Sequence, residues 1–247
     1  MNPVQTAGLG EKRPLMCVVL ELSSIASRLS QGDQKWRCLV EYVLADPDQG
    51  CGSQARRGGV SDGGTIWRLM MHIDAVSRLE KLIRDVKDFP QEGVVYKDFT
   101  PLLSDAGALA LSVELMANPY RGKGIDLVIG AESRGFIFGI AIAQALAAGF
   151  VPVRKPGKLP RAVHRAEYQL EYGTDTLEIH QDAIPEGARV LMVDDLLATG
   201  GTMEAACGLV KQAGAEIVGI AVLIELDFLN GRERLTQYGD VHSVLRY

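Results

Sequence analysis

Two short apolar runs constrain this chain more than any other feature. Arg189-Val-Leu-Met-Val193 and Ile217 to Ile224 are continuously apolar, and the stretch between them, Thr202 to Gln212, has helical spacing. Runs of this kind are strands buried on both faces, which belong to parallel sheets. The same order recurs upstream: a strand over Asp126-Leu-Val-Ile-Gly130, a helix from Phe136 to Ala148 and a strand over Phe150 to Val153. Strand, helix and strand in alternation imply right-handed crossovers and an α/β fold, a parallel sheet with helices on both faces.

Val76, Leu79, Ile83 and Val86 recur at helical spacing, which predicts one amphipathic helix ending before Phe89-Pro90; a second is expected from about Gly107 to Asn118. Between Lys155 and Asp182 the alternation gives way to a polar insert. Tyr168 to Tyr172 and Thr176 to Ile179 flank Gly173-Thr-Asp like a small hairpin. Such an insert beside a sheet's carboxyl edge reads as a flexible hood or lid, with too few apolar positions to pack stably over an empty site.

Composition removes several function classes. With 26 Lys+Arg against 31 Asp+Glu the net charge is -5, which argues against a nucleic-acid binder held by phosphate-backbone contacts. No run approaches the ~18 apolar residues of a membrane span. Cys17, Cys38, Cys51 and Cys207 form neither a CxxC pair nor a disulfide rhythm, so a cytoplasmic protein without a zinc site is expected. The acidic N-terminus does not read as a secretory signal.

The chain divides near residue 70. Residues 1–70 hold both tryptophans and three of the four cysteines, and Gly50 to Gly64 is a glycine-rich stretch of linker character. The expected division is an N-terminal extension over 1–70, disordered or an artefact of an over-extended gene model that should begin at Met70 or Met71, and one domain over 71–247.

Chemistry concentrates in Val193-Asp-Asp-Leu-Leu-Ala-Thr-Gly-Gly-Thr202, directly after a strand and directly before a helix. Ligands of open α/β sheets bind outside the carboxyl ends of strands, and a helix N-terminus presents unpaired N–H groups to phosphate. Thr199-Gly200-Gly201-Thr202 offers two hydroxyls and two residues without Cβ, so the backbone can wrap closely around an anion. Asp194 and Asp195 present carboxylates at the strand tip, where they suit vicinal ribose hydroxyls or a magnesium complex. No lysine follows the glycines, so this is not the loop of nucleoside triphosphatases. The ligand implied is a sugar phosphate.

These residues resemble the diphosphate-sugar motif of the type I phosphoribosyltransferases and, in detail, that of their adenine-using branch. The resemblance continues through Phe89-Pro-Gln-Glu-Gly-Val-Val-Tyr-Lys-Asp-Phe-Thr-Pro101, Gly130-Ala-Glu-Ser-Arg-Gly-Phe136, Arg154-Lys-Pro-Gly-Lys-Leu-Pro160 and Leu170-Glu-Tyr-Gly173. It implies that adenine and phosphoribosyl diphosphate give AMP and diphosphate with magnesium as cofactor, on a type I phosphoribosyltransferase fold, in a homodimer.

The resemblance also implies roles. Glu132, Ser133 and Arg134 would form the diphosphate loop, Arg154, Lys155 and Lys158 would supply further cations, and Ala198, Thr199, Gly200, Gly201 and Thr202 would hold the terminal phosphate. Departure of diphosphate leaves positive charge on the sugar and negative charge on the leaving group, so cations on one side and carboxylates on the other suit the reaction. Val95, Tyr96 and Lys97 would read and stack the adenine, with Leu223 on its other face and Glu225 a further candidate. Glu171 and Tyr172 would handle a proton and close the site, while His164 and His180 read as solvated residues of the same insert. Asp194 and Asp195 would meet magnesium mostly through substrate.

Two other readings share the motif. One is transfer to another purine such as guanine or xanthine. The other is a regulator that senses phosphoribosyl diphosphate, which the near-neutral extension and the complete insert disfavour.

Overall fold

The computed structural model describes residues 72–170 and 173–247. The expected division at residue 70, and whatever residues 1–70 do, lie outside that range, as do Glu171 and Tyr172.

Residues 72–80 form helix α1. Then come β1 (Arg84–Lys87), β2 (Val95–Asp98), α2 (Thr100–Ser104), α3 (Ala106–Ala117), β3 (Leu127–Ala131), α4 (Gly135–Leu146) and β4 (Gly149–Val153). The chain continues through β5 (Val163–Leu170), β6 (Gly173–His180), β7 (Arg189–Leu197), α5 (Gly201–Gln212), β8 (Glu216–Glu225), α6 (Gly231–Leu235) and β9 (Val241–Arg246).

Five strands make one parallel sheet in the order β4-β3-β7-β8-β9. Alternation along each strand sends side chains to opposite faces, and each face has its own core. Val128, Leu191, Val193 and Ala221 pack with Phe138 and Ile142 of α4 and with Met116 of α3. Ile129, Val190, Met192 and Ile220 pack on the other side with Ala206, Leu209 and Val210 of α5. Helices therefore cover both faces, as the apolar runs imply.

The strand order places the site. From β3 the chain crosses to β4 on one side, returns to β7 on the other side of β3, and then moves away through β8 to β9. The order reverses between β3 and β7. Loops leaving two neighbouring strands in opposite directions open a crevice at their carboxyl ends.

Three expectations are corrected. The first amphipathic helix stops at residue 80, because Arg84–Lys87 pairs antiparallel with Val95–Asp98 instead of continuing the helix. Leu79 still packs on the core; the helical spacing of Ile83 and Val86 with it is coincidental. The hairpin of the insert is longer than expected: β5 and β6 pair from Val163↔His180 to Leu170↔Gly173, so Gly173-Thr-Asp lies in a strand. The insert also packs better than its polarity suggests. Leu177 and Ile179 are 1% exposed within the core beside α5, and Arg154 and Glu178 exchange backbone hydrogen bonds of 2.9 and 2.7 Å that tie the hairpin to the end of β4. Strand β9 was not anticipated, because Val-His-Ser-Val-Leu-Arg mixes polar and apolar residues without a clean period.

Candidate active site

The crevice between β3 and β7 is a cleft of about 470 Å³ lined by Glu132, Ser133, Arg134, Lys155 and residues 194–203. Its floor is the end of β7. Asp194 and Asp195 are not at the strand tip as expected but inside the strand, which runs on to Leu197, and they are 9% and 4% exposed. Asp194 Oδ1 accepts a hydrogen bond of 2.9 Å from Asp195 N. Burial, then the neighbouring Asp195 charge, push the Asp194 carboxyl well above its ordinary value. A Cβ on Gly135 would stand 2.7 Å from Asp194 Oδ1, so the missing side chain lets the first turn of α4 sit on this carboxyl.

Arg134 closes the opposite wall. Its Nε lies 2.8 Å from Asp195 Oδ2, an ion pair in which the N–H is not aligned as a hydrogen bond, so that buried oxygen keeps accepting capacity. Its Nη1 donates to the Tyr96 hydroxyl, and its Cζ stands 5.6 Å from the Tyr96 ring centre. One guanidinium thus touches both the carboxylate pair and β2. The Glu132-Ser133 peptide is cis.

After β7 the chain turns at Ala198 and Thr199 into Gly200, whose φ of 82° a side chain would rarely adopt. No side chain caps α5, so its first N–H groups stand free of a capping side chain where the loop lines the cleft. An anion fits that position.

The remaining candidates divide. Glu132 lines the cleft, but Arg154 takes its carboxylate in two contacts of 3.1 and 3.3 Å and Lys155 N donates to it at 3.0 Å. The Lys155 amide bond, then the Arg154 guanidinium, hold the Glu132 carboxyl below its usual range. Arg154 is thereby occupied beside the cleft, and Lys158, which is exposed, is not among the residues lining it. Lys155 does line it, and its Nζ is 3.1 Å from Asp175 Oδ2 on the hairpin. Val95 is 46% exposed on β2, whereas Lys97 turns away to Asp85 at 2.7 Å and lies over the Tyr247 ring at 4.0 Å.

Two candidates for the base are corrected. Leu223 is fully buried in the core on the α4 side and offers a base no surface. Glu225 is 3% exposed and engaged by Arg232 and Ser243. Leu196, half-buried directly after Asp195, lines the cleft together with the more deeply buried Leu197 and Met203. It stood inside the motif, where an apolar residue next to a strand end reads as core.

Comparison with known proteins agrees with this geometry. Residues 103–244 match the phosphoribosyl transferase domain family. Adenine phosphoribosyltransferase from Acidobacterium capsulatum is 57% identical over 169 residues, 68% of this chain and 93% of the relative. The chain belongs to the adenine phosphoribosyltransferases. The fold agrees as well: the crystal structure of adenine phosphoribosyltransferase from Rhodothermus marinus superposes with a TM-score of 0.68 at 51% identity, covering 71% of this chain and 99% of that one. The Saccharomyces cerevisiae enzyme, complexed with an imino-altritol bisphosphate and adenine, does so at 0.66 and 39% identity, covering 70% of this chain and 99% of that one. In a phosphoribosyltransferase a cleft joining a carboxylate pair, a cation and a glycine-bounded turn at a helix start has the parts that a phosphorylated sugar requires.

Proposed function

We infer that this chain transfers the phosphoribosyl group of phosphoribosyl diphosphate to adenine, releasing AMP and diphosphate, as a purine-salvage enzyme. The observation that carries the reading is the meeting of Asp194, Asp195 and the 198–202 turn in one cleft at the switch point of the sheet. The turn and the N-terminus of α5 take the sugar's own phosphate, through backbone N–H groups and the hydroxyls of Thr199 and Thr202. Asp194 and Asp195 face the ribose hydroxyls, and the negative charge that the pair carries between them favours the cation that develops on the sugar as diphosphate leaves. Ser133, Arg134 and Lys155 lie where the leaving group gathers charge, with Arg154 joining them once the substrate competes with Glu132 for it and the exposed Lys158 adding a further cation.

Adenine docks on β2. Among the described residues this strand pairs with β1 alone, so the backbone groups of its other edge are open to a base edge. Tyr96 supplies a ring to stack on, Val95 and Lys97 supply backbone groups, and Leu196 rather than Leu223 supplies the apolar contact across the base. Glu171 and Tyr172, between β5 and β6, close over the reacting centre and exclude water.

Magnesium suits this site as a partner of the substrate. No group of three or more His, Cys, Asp or Glu side chains that could hold an ion is present among the described residues. Asp195 Oδ2 is buried with accepting capacity left, which fits an ion carried mainly by phosphate and ribose oxygens. When bound, the ion would neutralise charge developing on the diphosphate.

A homodimer in the cytoplasm completes the reading. Ile137 and Ile140, three residues apart on one face of α4, are 41% and 49% exposed, an apolar pair that a second copy would cover. No helix among the described residues is long and apolar enough to cross a membrane. Initial rates with adenine, guanine, hypoxanthine and xanthine in the presence of phosphoribosyl diphosphate and magnesium test the function. Adenine is expected to be the preferred base, and a preference for a 6-oxopurine would overturn the assignment. Sedimentation tests the dimer, which Ile140→Glu should split.

A further inference from the structure

Gly200 and Gly231 touch backbone to backbone. A Cβ on Gly231 would stand 2.1 Å from Ala198 O and 3.0 Å from Gly200 N, and one on Gly200 would stand 2.6 Å from Gly231 O. No real side-chain carbon tolerates these distances, so the first residue of α6 is seated directly against the turn that leads into α5. No side chain caps α5, and Gly200, at a φ of 82°, has several backbone conformations open to it, so contacts from outside the turn help select among them.

What fixes Gly231 is its neighbour. The Arg232 guanidinium forks onto the Glu225 carboxylate with Nε to Oε1 at 2.9 Å and Nη2 to Oε2 at 2.5 Å. It also donates to Val241 O at 2.6 Å and to Ser243 Oγ at 3.1 Å, while Ser243 Oγ donates to Glu225 Oε2 at 2.5 Å. Glu225 ends β8 in register with Leu197, the residue just before the turn, and Val241 and Ser243 belong to β9. The start of α6 is therefore bolted to the sheet by a planar, bidentate pair that a lysine or a single hydrogen bond would not reproduce.

We propose that Glu225 and Arg232 are positioning residues for the phosphate-holding turn: the pairing of the buried Glu225 with the half-buried Arg232 sets Gly231 as a fixed stop against Ala198 and Gly200, and so keeps the turn in the shape that accepts the sugar's phosphate. This rests on the reading that residues 198–202 hold that phosphate. Neither side chain touches the reacting atoms. Loosening the stop lets the turn sample other backbone conformations open to Gly200, and a displacement of about 1 Å in a preorganised site is costly.

The test compares Glu225→Gln and Arg232→Lys with Thr199→Val, a change within the turn itself. Steady-state kinetics gives KM for each substrate and kcat, and calorimetry gives the affinity for AMP. For the two positioning variants KM for phosphoribosyl diphosphate and Kd for AMP should rise roughly 10- to 100-fold, with KM for adenine and kcat at saturation within about threefold of wild type. If Arg232→Lys does not fold, Glu225→Gln, which keeps the shape and loses the charge, carries the comparison alone. Unchanged phosphate affinity in the positioning variants alongside a loss in Thr199→Val would overturn the proposal and leave the turn's role intact. No loss in any of the three would remove the turn's role and the proposal with it. A parallel rise in KM for adenine would mark a general structural defect and also overturn it.

Discussion

Arg134 Nε stands 2.8 Å from Asp195 Oδ2, and this contact joins the two strands whose loops open the cleft. The arginine side chain is 42% exposed and the aspartate 5%, so the pair faces solvent on one side only and a ligand can enter from there. Loss of the arginine removes the cation that, on the proposed function, meets the leaving diphosphate.

Arg134→Gln should therefore lower kcat/KM by roughly 10²- to 10³-fold, the scale of removing one preorganised donor from a charged transition state. Stability should change little, because a partly exposed ion pair contributes about 1 kcal/mol or less. Kinetics and thermal unfolding are read on the same preparation. A fall in melting temperature that accounts for the lost activity would mean that Arg134 serves the fold.

Asp194 gives a prediction in the opposite direction for stability. Burial, then the Asp195 charge, raise its pKa in the folded protein, so the native state retains a proton that the unfolded chain has lost. Stability then falls as pH rises from the unfolded value near ~4 towards the raised folded value, and the penalty is fully present above it. Asp194→Asn keeps an oxygen to accept from Asp195 N and abolishes the penalty. The variant should melt higher than wild type at the upper end of that window, match it below about pH 4, and lose turnover. A melting temperature equal to or below that of wild type at every pH would refute the account.

Gly135 tests the packing on that carboxyl. An added methyl would stand 2.7 Å from Asp194 Oδ1 and 3.2 Å from Val193 O, and the second of these is backbone that cannot move aside. Gly135→Ala should cost about 1 to 3 kcal/mol by overpacking and displace the start of α4, carrying Arg134 with it. Denaturant unfolding and kcat/KM should fall together. Retention of full activity would show that α4 can slide without disturbing the site.

Much of this was legible in the chain because the signals were local. Continuous apolar runs can only be strands covered on both faces, so β3, β7 and β8 and the helices between them followed from spacing alone. The turn at Thr199–Thr202 was readable because only glycine tolerates what Gly200 does. Contacts between distant segments were not readable. Nothing in the sequence tells that Gly231 abuts Ala198, or that Glu225 is spent on Arg232 and Ser243 instead of a base. Leu223 and Leu196 are both apolar residues near strand ends, and only burial separates the core residue from the cleft residue.

The hairpin offers the last test, and the structure sharpens what it should show. Its polar sequence predicts mobility throughout, yet Leu177 and Ile179 lie in the core and Glu178 N donates to Arg154 O at 2.7 Å. Opening that part of β6 would expose core surface and break the link to β4, so its amides should exchange slowly whether or not ligand is bound. The outer part differs. Lys155 and Tyr168 both reach Asp175, a polar contact at the margin of the cleft that the diphosphate would compete for. Phosphoribosyl diphosphate with magnesium should slow exchange between Tyr168 and Asp175 by about tenfold or more while Leu177 to Ile179 change little, as expected for a lid that turns on a fixed base. On the closing role proposed for it, Glu171→Ala should then lower kcat more than it raises KM. Uniform protection along the whole hairpin without ligand would make it a rigid wall of the cleft, and the closing role given to Glu171 and Tyr172 would fall with it.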